Sequence, residues 1–146
     1  MKIMVINGPN LNMVGIREKN IYGNQSFSHL IEMIKEEASQ RNVEVDCRQS
    51  NHEGDLVDWI QEAYFSDFSG IVINPGAYTH TSVAIADAVK AIAPIPVVEV
   101  HISDISSREE FRHISYLSPY CLKQIKGHGL NGYIEAMDEI ISAVRQ

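Results

Sequence analysis

Cysteine, positive charge and long apolar runs are all in short supply in this chain, and each shortage excludes a class of protein. Cys47 and Cys121 are the only cysteines, too few for a disulfide framework, and they have neither CxxC nor metal-ligand spacing. We therefore interpret them as buried free thiols of a reduced, cytoplasmic compartment. No run of about 18 apolar residues is present, so neither a membrane-spanning helix nor a membrane partner is expected.

The charge balance is acidic. Twelve lysines and arginines stand against 19 aspartates and glutamates, and the formal net charge is −7. Because such a chain repels phosphates, nucleic acid is not expected as a partner. The first residues, Met1 to Asn7, are interpreted as a buried strand and not as a signal peptide. The length of 146 residues, 45% of them apolar, suits one domain over residues 1–146.

Short β-type runs alternate with stretches of helical period along the chain. The runs cover residues 2–6, 43–49, 70–74, 97–101 and 121–126. Apolar stripes mark helices at residues 27–38, 56–63, 83–91 and 133–144, Ser26 is a candidate N-cap, and residues 109–113 suggest a short helical turn. This alternation predicts an α/β protein, a three-layer, doubly wound flavodoxin-like fold with a five-stranded parallel sheet of order 2-1-3-4-5. Cys47 and Cys121 would then lie on opposite edges, too far apart to pair.

Polar residues collect where the predicted strands end. Asn7 to Asn10 follow the first strand, Ser50 to Gly54 the second, Asn74 to Ser82 the third, and Glu99 to Ser103 the fourth. Ligands of open α/β sheets bind at these carboxyl ends, so the sequence predicts a polar small-molecule site there. The alternative is that these residues only cap helices and form turns.

One loop is longer than its neighbours and is predicted to be a lid. It covers about residues 10–24 and contains Gly15 and Gly23. Loops of this length usually either act as lids or are disordered.

Several functions of flavodoxin-like proteins are not supported. No GxGxxG or Walker A string follows the first strand. Asn7 and Asn74 stand where a phospho-acceptor receiver needs carboxylates, and Gly8-Pro9-Asn10-Leu11 is not the phosphate loop of an FMN protein. No HExxH or cysteine cluster is present, and the histidines near the site are expected to bond or titrate and not to hold a metal. We therefore expect no cofactor and no metal.

Four strings carry a resemblance to a known family. They are Asn7-Gly8-Pro9-Asn10-Leu11-Asn12 with Gly15-Ile16-Arg17-Glu18 and Tyr22-Gly23; Gln49-Ser50-Asn51-His52-Glu53-Gly54; Ile73-Asn74-Pro75-Gly76-Ala77-Tyr78-Thr79-His80-Thr81-Ser82; and Glu99-Val100-His101-Ile102-Ser103 with Arg108-Glu109-Glu110-Phe111-Arg112. Over nearly its whole length the chain resembles the type II 3-dehydroquinate dehydratases. The resemblance implies a flavodoxin-like fold, a dodecamer built from trimers, and cofactor-free dehydration of 3-dehydroquinate to 3-dehydroshikimate through an enolate.

The resemblance also implies which residues carry the chemistry. Tyr22 matches the base, and Arg17 matches a residue that stabilises the transition state. A guanidinium near a tyrosine favours the phenolate. His101 matches the general acid, and Glu99, two residues earlier on the same side of a strand, would orient the imidazole and favour its protonated form.

Other matched residues are assigned to the substrate or to the loop around it. Those assigned to the substrate are Asn74, His80, Ile102, Ser103, Arg112 and, from a neighbouring subunit, Asp87. Asn10 is assigned to support of the loop and the tyrosine. Ala86 stands where many relatives have arginine, and Lys19 where proline is often found. These two departures concern the subunit interface and the lid, and not the chemistry.

Three alternatives remain open on the residues alone. One is a Schiff-base mechanism, for which only Lys19 and Lys126 come near the strand ends, neither of them in an apolar run. Another is a non-catalytic module that binds a polyhydroxy acid, although pure binding requires neither an acid nor a base. The third is a redox or phosphorelay protein, which the missing loops disfavour.

Overall fold

The computed structural model describes residues 1–16 and 26–146. Among these residues it contains five β-strands and four α-helices. In chain order they are β1 Lys2–Asn7, α1 Phe27–Gln40, β2 Glu44–Gln49, α2 Glu53–Phe65, β3 Gly70–Asn74, α3 Val83–Ala91, β4 Val97–His101, β5 Lys123–Lys126 and α4 Asn131–Val144. Arg17, Lys19, Tyr22 and most of the predicted lid lie outside the described residues. None of the helices in the described ranges combines the length and apolar character needed to cross a bilayer.

The five strands form one parallel sheet in the order β2-β1-β3-β4-β5, which confirms the predicted topology. Alternate residues of each strand point to opposite faces. Ile3 and Val5 of β1 pack against α1 and α4, whereas Met4 and Ile6 pack against α2 and α3. The sheet is therefore the middle of three layers, with an apolar core on each side.

Serine side chains cap the N-termini of two helices, α1 and α3, near the positions where the sequence predicts these helices to begin. Ser26 accepts a hydrogen bond from the backbone N–H of His29 (3.1 Å), and Ser82 accepts one from Ile85 (2.9 Å). Each hydroxyl satisfies one of the backbone donors that a helix start leaves unpaired.

The short helical turn predicted over residues 109–113 is present as the 3₁₀ turn Glu110–Arg112, one of three such turns between β4 and β5. At the edges of the sheet, the structure differs from the sequence-based boundaries. The last strand begins at Lys123 and not at Cys121, because the N–H of Cys121 bonds back to the carbonyl of Ser118 (3.1 Å) at the end of a turn. The N–H of Val43 likewise bonds to the carbonyl of Ala38 (3.0 Å). Strand β2 therefore begins at Glu44 and not at Val43.

Both cysteines are free thiols on opposite sides of the sheet. Cys47 lies on the edge strand β2, and Cys121 lies just before the other edge strand, β5. Burial raises the pKa of the Cys47 thiol to about 11 and also raises the pKa of Cys121. Neither thiol is therefore an activated nucleophile near neutral pH.

Two glycines bring the turns after β1 and β3 into backbone contact. A Cβ added to Gly8 would lie 2.4 Å from the carbonyl oxygen of Pro75, and one added to Gly76 would lie 2.9 Å from that of Pro9. Gly76 also has a φ of +61°, which favours glycine. Each turn thus fixes the position of the other.

Substitution of Gly8 by alanine is expected to lower the free energy of unfolding by about 1–3 kcal/mol, since the new Cβ overlaps backbone that cannot move aside. Urea unfolding measures the change. Gly54→Ala is the matched control, because nothing lies within 4 Å of a Cβ there and the residue is in α2. That control should gain about 0.5–1 kcal/mol. Equal effects of the two substitutions would contradict the close approach.

Candidate active site

A cleft lies at the carboxyl ends of β1, β3 and β4. Its lining residues are Pro9, Asn10, Leu11, Asn74, Gly76, Ala77, His80, His101, Ile102, Ser103, Ile105, Arg108 and Arg112. Seven residues that the sequence singled out are among them: Asn10, Asn74, His80, His101, Ile102, Ser103 and Arg112. The sheet therefore collects side chains from strings that are far apart in the chain, as expected of an open α/β fold.

The loop after β1 is held by the string that follows β2. Asn10 has a φ of 68°, and its backbone N–H donates to Oδ1 of Asn51 (3.1 Å). Nε2 of Gln49 donates to the same oxygen (3.2 Å) and to the carbonyl of Gly8 (3.2 Å). These bonds explain why residues of β2, which do not line the cleft, still shape it.

Asn74 enters the cleft from a buried polar network. Its Oδ1 accepts from the backbone N–H of Gly76 (3.1 Å), and its Nδ2 donates to the hydroxyl of Tyr133 (3.0 Å). That hydroxyl donates in turn to Oδ1 of Asn7 (2.5 Å). Asn74 and Asn7 are 4% and 0% exposed, so both amides are held within the protein.

His101 is paired with a buried carboxylate. Glu99 is 0% exposed, and its Oε2 contacts Nε2 of His101 on the same face of β4. Oε1 of Glu99 accepts from the Ser115 hydroxyl (2.8 Å), and Oε2 accepts from Nε2 of Gln124 (2.9 Å). Burial by itself raises the pKa of Glu99, but the hydrogen bonds from these three partners, with His101 the strongest, outweigh it and lower the pKa.

The ionised Glu99 determines which ring nitrogen of His101 carries a proton. A carboxylate can only accept, so Nε2 is the N–H that faces it. Nδ1 is then left for a molecule in the cleft, as an acceptor when the ring is neutral and as a donor when it is protonated. A histidine arranged in this way can deliver a proton from Nδ1.

His80 also lines the cleft, and its surroundings favour the neutral ring. Burial lowers the pKa of His80, and the charges of His101 and Arg112 act in the same direction, against the hydrogen bond to the Ile114 carbonyl. Nδ1 bonds to that carbonyl (2.8 Å), so it carries the proton of the neutral ring. Nε2 therefore remains as an acceptor that suits a hydroxyl group.

Two arginines line the cleft, and both form ion pairs with Glu109, which does not line it. Arg108 and Arg112 both line it, and Nε of Arg112 is held by Oε2 of Glu109 (3.2 Å). No carboxylate belongs to its lining within the described ranges. The carbonyl of Ile102 accepts from Gly129 (3.1 Å), which fixes the turn at Ile102 and Ser103. The site therefore suits a small anion, although the net charge is −7.

Two predicted residues within the described ranges do not line the cleft. Asp87 lies on an exposed position of α3, and Glu99 lies behind His101. Arg17 and Tyr22 lie outside the described residues. No lysine of the described ranges lines the cleft, and no three His, Cys, Asp or Glu side chains there come together as metal ligands.

Sequence reasoning missed several residues of the site. Arg108, Pro9, Leu11, Gly76 and Ala77 stand inside the quoted strings but received no role. Four further residues do not line the cleft but hydrogen-bond, directly or through one another, to Asn74 or Glu99. Only long-range contacts could have identified them: Asn7, Tyr133, Ser115 and Gln124.

The fold and the cleft define a flavodoxin-like α/β protein whose site combines two arginines with a histidine backed by a buried carboxylate. The sequence model of the family described as "Dehydroquinase class II" matches residues 1–141. The chain belongs to this family.

Similar proteins from several organisms agree with the family match. Proteins named 3-dehydroquinate dehydratase from Clostridium perfringens and Fusobacterium nucleatum are 55% and 57% identical, over 99% and 97% of this chain and 100% and 97% of their own. The crystal structure of a type II dehydroquinase from Butyrivibrio crossotus is 60% identical with a TM-score of 0.95, over 97% of both chains. One from Propionibacterium acnes is 38% identical with a TM-score of 0.90, over 99% of this chain and 97% of that one.

Proposed function

We propose that this chain is a lyase that dehydrates 3-dehydroquinate to 3-dehydroshikimate, either in the shikimate pathway of chorismate and aromatic amino acid biosynthesis or in quinate breakdown. The family match and the names of its relatives support the substrate. The observation that carries the proposal is the buried Glu99–His101 pair, which opens onto a cleft lined by two arginines. Such a site offers an acid and a place for an anionic substrate.

The reaction is an anti elimination of water. A base takes a proton from the carbon beside the ketone, and the electron pair of that bond forms an enolate with its charge on the ketone oxygen. When the enolate collapses, a carbon–carbon double bond forms, the bond to the departing hydroxyl breaks, and that hydroxyl takes a proton and leaves as water. The reaction needs a base, a group that stabilises the enolate and an acid.

The base is assigned to Tyr22 and the nearby cation to Arg17, on the resemblance of their string to the family. The acid is His101, whose Nδ1 is left for the substrate while Nε2 is held by Glu99. The carboxylate holds the ring in place. Each proton given to the departing hydroxyl is replaced from solvent in the next cycle.

The remaining cleft residues hold the substrate. The neutral His80 accepts a bond from a ring hydroxyl, and Arg112 also contacts the hydroxyls. The turn at Ile102 and Ser103 holds the carboxylate with backbone N–H groups and the serine hydroxyl. Asn74 hydrogen-bonds the substrate and orders a water near the enolate oxygen, and Asn10 supports the loop and the tyrosine.

The proposed assembly explains why Asp87 does not line the cleft of its own chain. Asp87 is exposed on α3 and is proposed to reach the cleft of a neighbouring subunit in a dodecamer built from trimers. We propose a cytoplasmic location, supported by two cysteines that cannot pair within the chain.

Mixing the protein with 3-dehydroquinate is expected to produce the absorbance of the conjugated enone product. Addition of borohydride during turnover should leave the protein unlabelled, because no lysine is assigned to the reaction. A protein that binds the substrate but gives no enone at high concentration would be a binding module. Covalent trapping of substrate would replace the tyrosine mechanism with a Schiff base.

A further inference from the structure

We propose that Tyr133 and Asn7 are positioning residues that fix the side-chain amide of Asn74, so that Asn74 presents an N–H donor to the cleft. The inference rests on the proposed function, because it concerns how Asn74 meets the substrate. Neither residue lines the cleft. Both would act through Asn74 and never touch the substrate.

The strand pattern explains why these three side chains meet. Asn7 continues the face of β1 that carries Ile3 and Val5, and Asn74 ends β3 on the same face. The two asparagines are register partners on adjacent strands. Tyr133, on α4, belongs to the core on that face and is 1% exposed. Its hydroxyl therefore reaches both amides at the point where the apolar core gives way to the cleft.

A backbone group sets the direction of every hydrogen bond in the network. The N–H of Gly76 can only donate, so the Asn74 atom facing it must be Oδ1. The other end of the amide is then Nδ2, which donates to the Tyr133 hydroxyl. That hydroxyl has accepted a bond, and it turns its own proton to Oδ1 of Asn7. An amide whose two ends are both held in this way cannot rotate by half a turn.

The network determines what the second N–H of Asn74 can do. One hydrogen of Nδ2 is used by Tyr133, and the other remains as the donor that Asn74 can offer to the cleft it lines. A reversed amide would offer a carbonyl oxygen instead and would repel a negatively charged substrate. The network therefore selects the orientation in which Asn74 can donate to the substrate and to the water near the enolate.

Asn7 does not have the contacts expected of a residue kept only for stability. Its Nδ2 is the one side-chain nitrogen or oxygen in the described ranges that is buried without a hydrogen-bond partner. A buried unpaired donor is unfavourable to folding. The only bonded end of this side chain is the oxygen that accepts from Tyr133, which is the end the positioning role requires.

A double-mutant cycle on kcat tests the inference. Tyr133→Phe is expected to lower kcat about ten-fold, the effect of misplacing one hydrogen bond, with KM changed less than about two-fold. In protein that already carries Asn74→Ala, the same substitution should leave kcat unchanged, since there is no amide to orient. Asn7→Leu should behave like Tyr133→Phe in both backgrounds. Tyr120→Phe, on an exposed tyrosine, is the matched control and should leave kcat unchanged.

The outcomes separate this inference from the function on which it rests. If wild-type protein gives no product, both are wrong. If the wild-type protein is active but the double variant loses kcat by the product of the two single losses, Tyr133 supports the fold and does not act through Asn74. Unchanged kcat in Tyr133→Phe would also overturn the inference. Thermal unfolding of each variant shows whether a loss of kcat comes from unfolded protein.

Discussion

Replacement of His101 by glutamine is expected to lower kcat for dehydration by about 10²–10⁴-fold, the range expected for loss of a general acid. Glutamine keeps an N–H that can donate to Glu99 but has no group that titrates near neutral pH. The hydrogen bond that faces the carboxylate is thus retained while the proton donor is lost. Steady-state kinetics by enone absorbance measure kcat and KM, and thermal unfolding shows whether the variant is folded.

A second histidine–glutamate pair provides the control. Nδ1 of His128 bonds to Oε2 of Glu135 (2.8 Å) on the exposed surface, outside the cleft. His128→Gln should therefore leave kcat unchanged. If His101→Gln retains more than about a tenth of the wild-type kcat, His101 is not the acid.

Replacement of Glu99 by alanine is expected to lower the free energy of unfolding by about 3–5 kcal/mol, the cost of removing one member of a buried pair. The truncation would leave His101, Ser115 and Gln124 without the acceptor that they share. Urea unfolding at one fixed protein concentration measures the loss. Glu139→Ala removes an exposed partner of Lys123 and should cost no more than about 1 kcal/mol. A similar loss in both variants would contradict the buried network.

The lowered pKa of Glu99 adds a pH dependence with a definite sign. The unfolded chain binds a proton at a higher pH than the folded one, so this contribution is complete above the unfolded pKa of about 4.3. It is lost as the pH falls further, through the lower pKa of the folded state. Below about pH 4 the wild-type protein should lose more stability than Glu99→Gln, which has no carboxyl to titrate at this position.

Local sequence patterns were sufficient to predict the order of the sheet and the edge where the site lies. Continuous apolar runs such as Ile71 to Ile73 predict strands covered on both faces, and the polar residues after them predict a shared rim. Of the three 3₁₀ turns after β4, the sequence predicted only one. Hydrogen bonds to nearby carbonyls, as at Cys121, override a short β-type pattern.

The supporting residues could not be predicted because nothing local distinguishes them. Tyr133 stands on the apolar stripe of α4, where sequence reasoning takes it for ordinary core, and its partner Asn7 is 126 positions away. Gln124 reaches Glu99 across 25 positions, and Ser115 across 16. Only the folded sheet brings these groups together. The roles of Arg17, Tyr22 and Asp87 stay predictions.

The alternation of the strands separates the two halves of the proposed chemistry. Glu99 and His101 point to the layer of α2 and α3, whereas Asn7 and Asn74 point to the layer of α1 and α4. The sheet separates the groups that support the two side chains, a charged set behind His101 and a neutral set behind Asn74, although both side chains line the same cleft. Because Gln124 and Tyr133 share no hydrogen-bond partner, substitutions of the two should add in the free energy of unfolding.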